Sequence, residues 1–278
     1  MNIQYNCAPG DLRGMDTETL RRRFLVQNLF APDRINLTYS HIDRMVVGGV
    51  RPVAGPVVLG ETHGKAIGVP YFLKRREMGI INVGGPGHVK ADGARLPLNT
   101  LDGAYLGCET EAVSFHSDNA SRPAKFYLNS SPAFVKIPAA VVRKDQAVPT
   151  TLGDEYRANV RTIHQYIHPE VQKANFLLMG VTVPAPNSVW NTMPCHTHER
   201  RMEAYFYFDM AEDQPIFHFM GKPEETRHLV VNKDEALFCP SWSVHFGAGT
   251  GPYKFIWGMT GENQEYWEMD FLSMRDVR

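Results

Sequence analysis

The sequence predicts a mainly β chain built as two tandem jelly-roll β-barrels with a few short helices, and three observations carry that prediction. From Ile35 onward the chain runs in short apolar or alternating segments broken by Gly, Pro, Asn and Asp, the texture of many short strands. Segments of the first half are echoed in the second. Finally, a set of histidines and one glutamate in the second half has a spacing that requires a strand, a bend and a further strand.

In chain order, residues 1–10 have neither a basic start nor an apolar run. Asp16 is placed to cap a helix over 17–29, with Leu20, Phe24 and Leu29 as its apolar stripe. Strands are expected at Ile35-Asn36-Leu37-Thr38-Tyr39, Met78-Gly79-Ile80-Ile81-Asn82-Val83, Lys125-Phe126-Tyr127-Leu128, Phe176-Leu177-Leu178-Met179, Ala204-Tyr205-Phe206-Tyr207-Phe208, His228-Leu229-Val230-Val231 and Lys254-Phe255-Ile256-Trp257. The echo pairs Lys74-Arg75-Arg76-Glu77 with Arg200-Arg201-Met202-Glu203, and Leu101 through Gly107 with Lys233 through Cys239. Pro149, Gly153 and a polar stretch interrupt the strand texture over 150–161, so the expected division is an N-terminal barrel over 1–155 and a C-terminal barrel over 156–278.

Composition narrows the function. With 278 residues, 43% of them hydrophobic and 21% charged, the chain can bury a large core or two ordinary ones. A formal net charge of −1 offers no basic footprint for nucleic acid or an anionic membrane, which favours a small-molecule substrate. Cys7, Cys108, Cys195 and Cys239 form no Cys-x-x-Cys pair and read as free thiols of a reducing compartment. No run approaches the ~20 apolar residues of a membrane span, and the expected location is the cytoplasm.

The chemistry is concentrated in His196-Thr197-His198-Glu199-Arg200-Arg201-Met202-Glu203 and in Pro240-Ser241-Trp242-Ser243-Val244-His245. His196 and His198 leave the same face of an extended strand, and Glu203 can join them only across a bend, for which Arg200 and Arg201 are suited. Three imidazoles and a carboxylate suit a borderline divalent ion such as zinc, and also iron, manganese, nickel or cobalt. This is the spacing of a cupin metal site, with Trp242 standing where the cupin pattern has Gly. The first half lacks the His-x-His and has Val69-Pro70-Tyr71-Phe72 in its place, so only the C-terminal barrel is expected to hold metal.

Beyond these motifs the chain resembles the 4-deoxy-5-hexosulose-uronate ketol-isomerases (5-keto-4-deoxyuronate isomerases) of bacterial pectin breakdown. The resemblance spans nearly the whole chain, from Phe24-Leu25-Val26 to Gly258-Met259-Thr260-Gly261-Glu262-Asn263-Gln264. Its most specific carriers are Trp190-Asn191-Thr192-Met193-Pro194-Cys195-His196-Thr197-His198-Glu199-Arg200-Arg201, Pro223-Glu224-Glu225-Thr226-Arg227-His228 and Tyr39-Ser40-His41-Ile42-Asp43-Arg44. It implies a bicupin, often a homo-hexamer, with one Zn²⁺ per subunit on His196, His198, Glu203 and His245. It also implies an open-chain keto-uronate as substrate and 3-deoxy-2,5-hexodiulosonate as product.

Such an aldose–ketose isomerisation removes a proton alpha to a carbonyl and returns it at the neighbouring carbon, through an enediolate whose charge a dication neutralises. A base must shuttle the proton, and Glu203, His228 and Tyr205 are the candidates. The substrate carboxylate calls for a planar cation, and Arg161, Arg200, Arg201 and Arg227 are the arginines nearest the motifs. Trp190 and Trp257 are candidates for an apolar wall. The same ligand set also serves a 5-deoxyglucuronate isomerase, a cupin dioxygenase or a non-catalytic sugar-binding cupin.

Overall fold

The computed structural model of the chain describes residues 1–262 and 265–278. Asn263 and Gln264, which end one of the resemblance motifs, lie outside the described residues. All seven expected segments overlap strands, although Phe176 and Leu177 precede theirs, which begins at Leu178, and the strands fall into a duplicated pattern. The larger sheet of the first half has the order Asn2–Gln4, Ile35–Ser40, Val46–Val50, Phe126–Pro132, Arg76–Asn82, Gly103–Leu106 and Ala140–Val142. Its counterpart runs Val148–Leu152, Arg161–Ile167, Leu178–Pro184, Lys254–Gly261, Arg201–Phe208, Glu235–Cys239 and Leu25–Val26. Each is accompanied by a four-stranded sheet of matching order: Val57–Val58, Val113–Ser117, Gly87–Ala91, Ala94–Leu98 in one half, and Trp190–Asn191, Val244–Gly249, Ile216–Lys222, Glu225–Val231 in the other. This is the mainly β, twofold jelly-roll arrangement expected.

Alternation of side chains across each strand gives every large sheet two apolar faces. In the Arg201–Phe208 strand, Tyr205 and Tyr207 pack with Leu237, Phe255 and Trp257 inside the second half. The intervening Met202, Ala204, Phe206 and Phe208 join Ile81, Tyr105 and Tyr127 of the first half in one cluster. Tyr127 and Phe206 stack with ring centroids 4.4 Å apart, so the two halves share a core across their large sheets. A third cluster, with Met78, Ile80, Leu106, Phe115 and Phe126, fills the first half.

Two elements depart from the sequence reading. Asp16 does cap a helix, accepting from the Thr19 N–H at 2.7 Å, but that helix covers Thr17–Phe24 and does not reach residue 29. Leu25 and Val26 become extended and pair antiparallel with Leu237 and Ala236, because a strand edge with unpaired backbone groups outweighs one more turn of exposed helix. The N-terminal Leu12, Leu20, Phe24 and Leu25 consequently pack in the core of the second half.

The echo, too, is shifted by one residue relative to the faces. Glu77, its counterpart to Glu203, points away from its own barrel and bonds to Tyr105, whereas Arg76 lies on the same alternation as the inward Met78 and Ile80. A one-residue offset exchanges the two faces of a strand.

Candidate metal centre and its pocket

His196 lies in a two-residue strand, His196–Thr197, paired with Asp270–Phe271. Glu199 and Arg200 form the bend, closed by the Arg201 N–H donating to the His198 carbonyl at 3.2 Å. The Arg201–Phe208 strand then carries Glu203 inward, and His245 comes from Val244–Gly249. Trp242 needs no glycine-like freedom, since its φ is not positive; the turn is closed by Ser243 N–H donating to Pro240 O at 2.9 Å.

One ligand atom from each of His196, His198, Glu203 and His245 lies within 4.8 Å of the others, and all four residues are buried. Nε2 of His245 is 2.9 Å from Oε2 of Glu203 and 3.0 Å from Nε2 of His196, while Nε2 of His198 is 3.3 Å from the same oxygen. Nδ1 of His198 donates to the Arg201 carbonyl at 2.8 Å, and Nδ1 of His245 to the Ser243 carbonyl at 3.2 Å. Carbonyls only accept, so these Nδ1 atoms carry the protons and the Nε2 atoms present lone pairs to the centre. Lone pairs and an anionic oxygen converging at 3 Å repel one another unless a cation stands between them. The donor set therefore fits a divalent ion, and outer hydrogen bonds of this kind are what hold metal-binding imidazoles in orientation.

Protonation agrees with that fit. Burial, with neighbouring imidazoles, drives His196 well below the ordinary value, and burial lowers His198 as well. Burial works to raise the Glu203 carboxyl, and the lowering that opposes it needs positive charge at His245 and His198; with both imidazoles neutral, that charge is the one a bound cation would supply. Neutral imidazole and ionised carboxylate are the forms that bind metal.

Of the proposed substrate and base residues, the structure brings only some to this centre. A pocket of ≈ 550 Å³, counting its mouth, is lined by His196, Glu203, Tyr205, Arg161, Trp257 and Tyr266 among others. Tyr205 is buried, with its hydroxyl 2.8 Å from Thr192 Oγ1. His228 is elsewhere: it is exposed on the opposite face of its sheet, between the rings of Phe217 and Phe219. Arg227 pairs with Glu225 at 3.1 Å, and Arg200 is an exposed partner of Glu262 at 2.7 Å. Trp190 packs on Phe219 and Phe246, because Asn191 takes the inward face.

Arg201 is fully buried, but its guanidinium donates to the carbonyls of Glu265 and Tyr266, both at 2.8 Å. It thus fixes the segment that brings Tyr266, Trp267, Met269 and Phe271 over the pocket. Sequence reading missed Thr182, Thr192 and Tyr266 as lining residues; the inward alternation of Leu178–Pro184 is the one signal that pointed to Thr182.

Behind the centre, fully buried His218 lies between the Tyr207 hydroxyl, 2.9 Å from its Nδ1, and Cys239 Sγ, 3.4 Å from its Nε2. Burial depresses its pKa from the ordinary 6.5 to about 3. A histidine neutral in the fold but protonated when unfolded stabilises fully above pH 6.5 and loses that contribution as pH falls from 6.5 towards 3. The denaturant midpoint of metal-free protein should therefore drop across this window, and His218→Gln should lessen the slope; an unchanged slope in the variant would refute the assignment.

Comparison with known proteins places these features in context. Residues 60–274 match the KduI/IolB family. A 4-deoxy-L-threo-5-hexosulose-uronate ketol-isomerase of Paraburkholderia phytofirmans is 53% identical over 264 residues, covering 95% of each chain. Ketol-isomerase 1 of that name from Enterococcus faecalis is 50% identical over 278 residues, covering all of both chains. An IolB-like protein of Salmonella typhimurium has a similar structure, with a TM-score of 0.66 at 14% identity over 82% of this chain and 87% of that one. A manganese-containing oxalate decarboxylase of Bacillus subtilis gives a TM-score of 0.55 at 8% identity, over 80% and 70% of the chains, which supports the cupin fold alone.

Proposed function

The chain belongs to the KduI/IolB family, and from that premise we propose that it is a ketol-isomerase converting 5-dehydro-4-deoxy-D-glucuronate (4-deoxy-L-threo-5-hexosulose uronate) to 3-deoxy-D-glycero-2,5-hexodiulosonate. The observation that carries this reading is identity of about half over the full chain to relatives of that name. The buried His/His/Glu/His group supplies the chemistry the reaction needs. On this reading the protein is a cytoplasmic homo-hexamer of pectin-derived uronate breakdown, with a metal-free barrel within residues 1–155 and the working one over 156–278, to whose large sheet Leu25–Val26 and Val148–Leu152 add strands.

His196, His198, Glu203 and His245 would hold the ion, with zinc the choice that the three-nitrogen, one-oxygen set favours. Bound by these residues, a divalent ion would supply the positive charge that offsets developing oxyanion charge in the isomerisation. The remaining work falls to the chain. Ile163, Phe255, Trp257 and Met259 wall the pocket with apolar surface, which keeps bulk water from the reacting carbons. Burial raises the Tyr205 phenol well above its ordinary pKa, so its hydroxyl stays protonated and donates to developing oxyanion charge. Glu203 directs Oε2 to both imidazoles, and its Oε1 has no hydrogen bond among the described residues. Glu203 is thus the pocket group available to take up the travelling proton, with Tyr205 as the neighbouring donor.

The test is an anaerobic NMR assay of the deoxy keto-uronate in deuterated water with zinc-loaded and chelator-stripped protein. Zinc-dependent conversion to the diketo acid without oxygen is the expected outcome. No conversion by the loaded protein would sink the assignment, and iron-dependent oxygen uptake would favour a dioxygenase.

A further inference from the structure

Arg161 is the one of the four candidate arginines that lines the pocket. It opens the Arg161–Ile167 strand on the same inward alternation as Ile163, which packs in the core of the second half. Among the described residues, both of its hydrogen bonds leave through a single terminal nitrogen, Nη1, to the carbonyls of Asn159 at 3.0 Å and Met193 at 3.2 Å. Asn159 in turn donates to the same Met193 carbonyl at 2.9 Å, so the guanidinium is held from behind. Among the described residues no carboxylate pairs with it. Burial lowers its pKa, and the neighbours acting in the opposite direction are the phenols of Tyr266, Tyr205 and Tyr253. A half-buried guanidinium, anchored through one nitrogen and lacking an internal counter-ion, is costly unless an anion completes it.

We propose that Arg161 is the anion-recognition residue of the pocket, taking a carboxylate of the ligand on Nε and Nη2 while the His/His/Glu/His group faces the ligand's carbonyl end. This deepens the ketol-isomerase reading and rests on it for the identity of the substrate. It fixes the direction in which an open-chain acid lies: carboxylate at the mouth formed by Arg161, reacting carbons towards Glu203 and Tyr205. Thr182 and Thr192, which line the same pocket, are placed for hydroxyl groups between the two ends. A planar, forked cation reads a carboxylate bidentately, which a lysine cannot reproduce.

The experiment compares D-gluconate with D-sorbitol, an open-chain six-carbon acid and the alcohol lacking its carboxylate, as ligands of the zinc-loaded protein followed by thermal unfolding. Gluconate should raise the midpoint and sorbitol should not. In Arg161→Met the gluconate shift should vanish with metal content unchanged, and Arg161→Lys should restore only part of it. For the keto-uronate, kcat/KM should fall by about 10- to 100-fold in Arg161→Met, mostly through KM. The proposal is overturned if Arg161→Met still distinguishes gluconate from sorbitol, as it would if the carboxylate sat on the metal, or if wild type shows no such distinction. Failure of the ketol-isomerase reading looks different: keto-uronate is not turned over, yet the Arg161-dependent gluconate shift persists.

Discussion

Replacing His245 with alanine is expected to abolish metal retention and lower turnover by more than about 100-fold, since loss of an outer hydrogen-bonding partner alone costs 10- to 100-fold. His245 is fully buried, and its Nε2 is the nitrogen that approaches both Glu203 and His196. Without it, two imidazoles and one carboxylate remain, and the side on which Val244–Gly249 closes the centre is open. The fold should survive. Val244 and Phe246, on either side, pack with Cys195 on the other face of the strand, and removing an imidazole also removes a lone pair from a crowded centre. Metal analysis after dialysis, with circular dichroism on the same sample, checks both halves of the statement. His228→Ala is the matched control: its imidazole is exposed on the outer face, so metal content and turnover should stay at the wild-type level. Wild-type turnover in metal-free His245→Ala would end the metal mechanism.

The contrast between His245 and His228 shows what could be read in the sequence. The convergence of His196, His198, Glu203 and His245 was legible because three of them lie within eight residues, where strand alternation and one bend fix their directions. His228 and Trp190 carried the same family signature, but each is one residue off the inward alternation that Leu229 and Asn191 occupy. Without register, a motif does not reveal which face it serves. The rest of the pocket is assembled from distant strands, Arg161 from one, Thr182 from the next and Tyr266 from beyond the last long strand, and no local pattern links them. Arg201 was misread for another reason. An arginine beside a metal motif suggests a substrate, whereas here the carbonyls of Glu265 and Tyr266 take up its two terminal nitrogens. The duplicated barrels were visible as an echo, but the placement of Leu25–Val26 in the second sheet depends on a long-range pairing that sequence texture does not encode.

Glu77 provides the largest expected effect on stability, and it follows from that same echo. The sequence matches it to Glu203, yet it takes no part in a metal group among the described residues. Its Oε1 accepts from Ser131 Oγ at 2.9 Å and from the backbone N–H groups of Phe176 and Leu177 at 2.8 and 2.9 Å. Its Oε2 accepts from Tyr105 at 2.7 Å and from both the backbone and side-chain nitrogens of Asn175, at 2.7 and 3.1 Å. One fully buried carboxylate therefore satisfies donors on the first large sheet and on the segment leading into the Leu178–Pro184 strand of the second. Alanine would leave these donors without an acceptor in a dry interior, where each orphaned group costs roughly 1–3 kcal/mol, and water entering the cavity would recover only part. Glu77→Ala should lose roughly 3 kcal/mol or more of folding stability, measured by urea unfolding. Glu77→Gln should lose less, because one oxygen still accepts while its amide N–H₂ meets other donors. Metal content per folded molecule should remain that of the wild type in both. If Glu77→Ala instead unfolded at the wild-type urea concentration, the carboxylate would not be what joins the two sheets, and the shared core of Tyr127, Phe206 and Ile256 would have to hold the halves together on apolar contact alone.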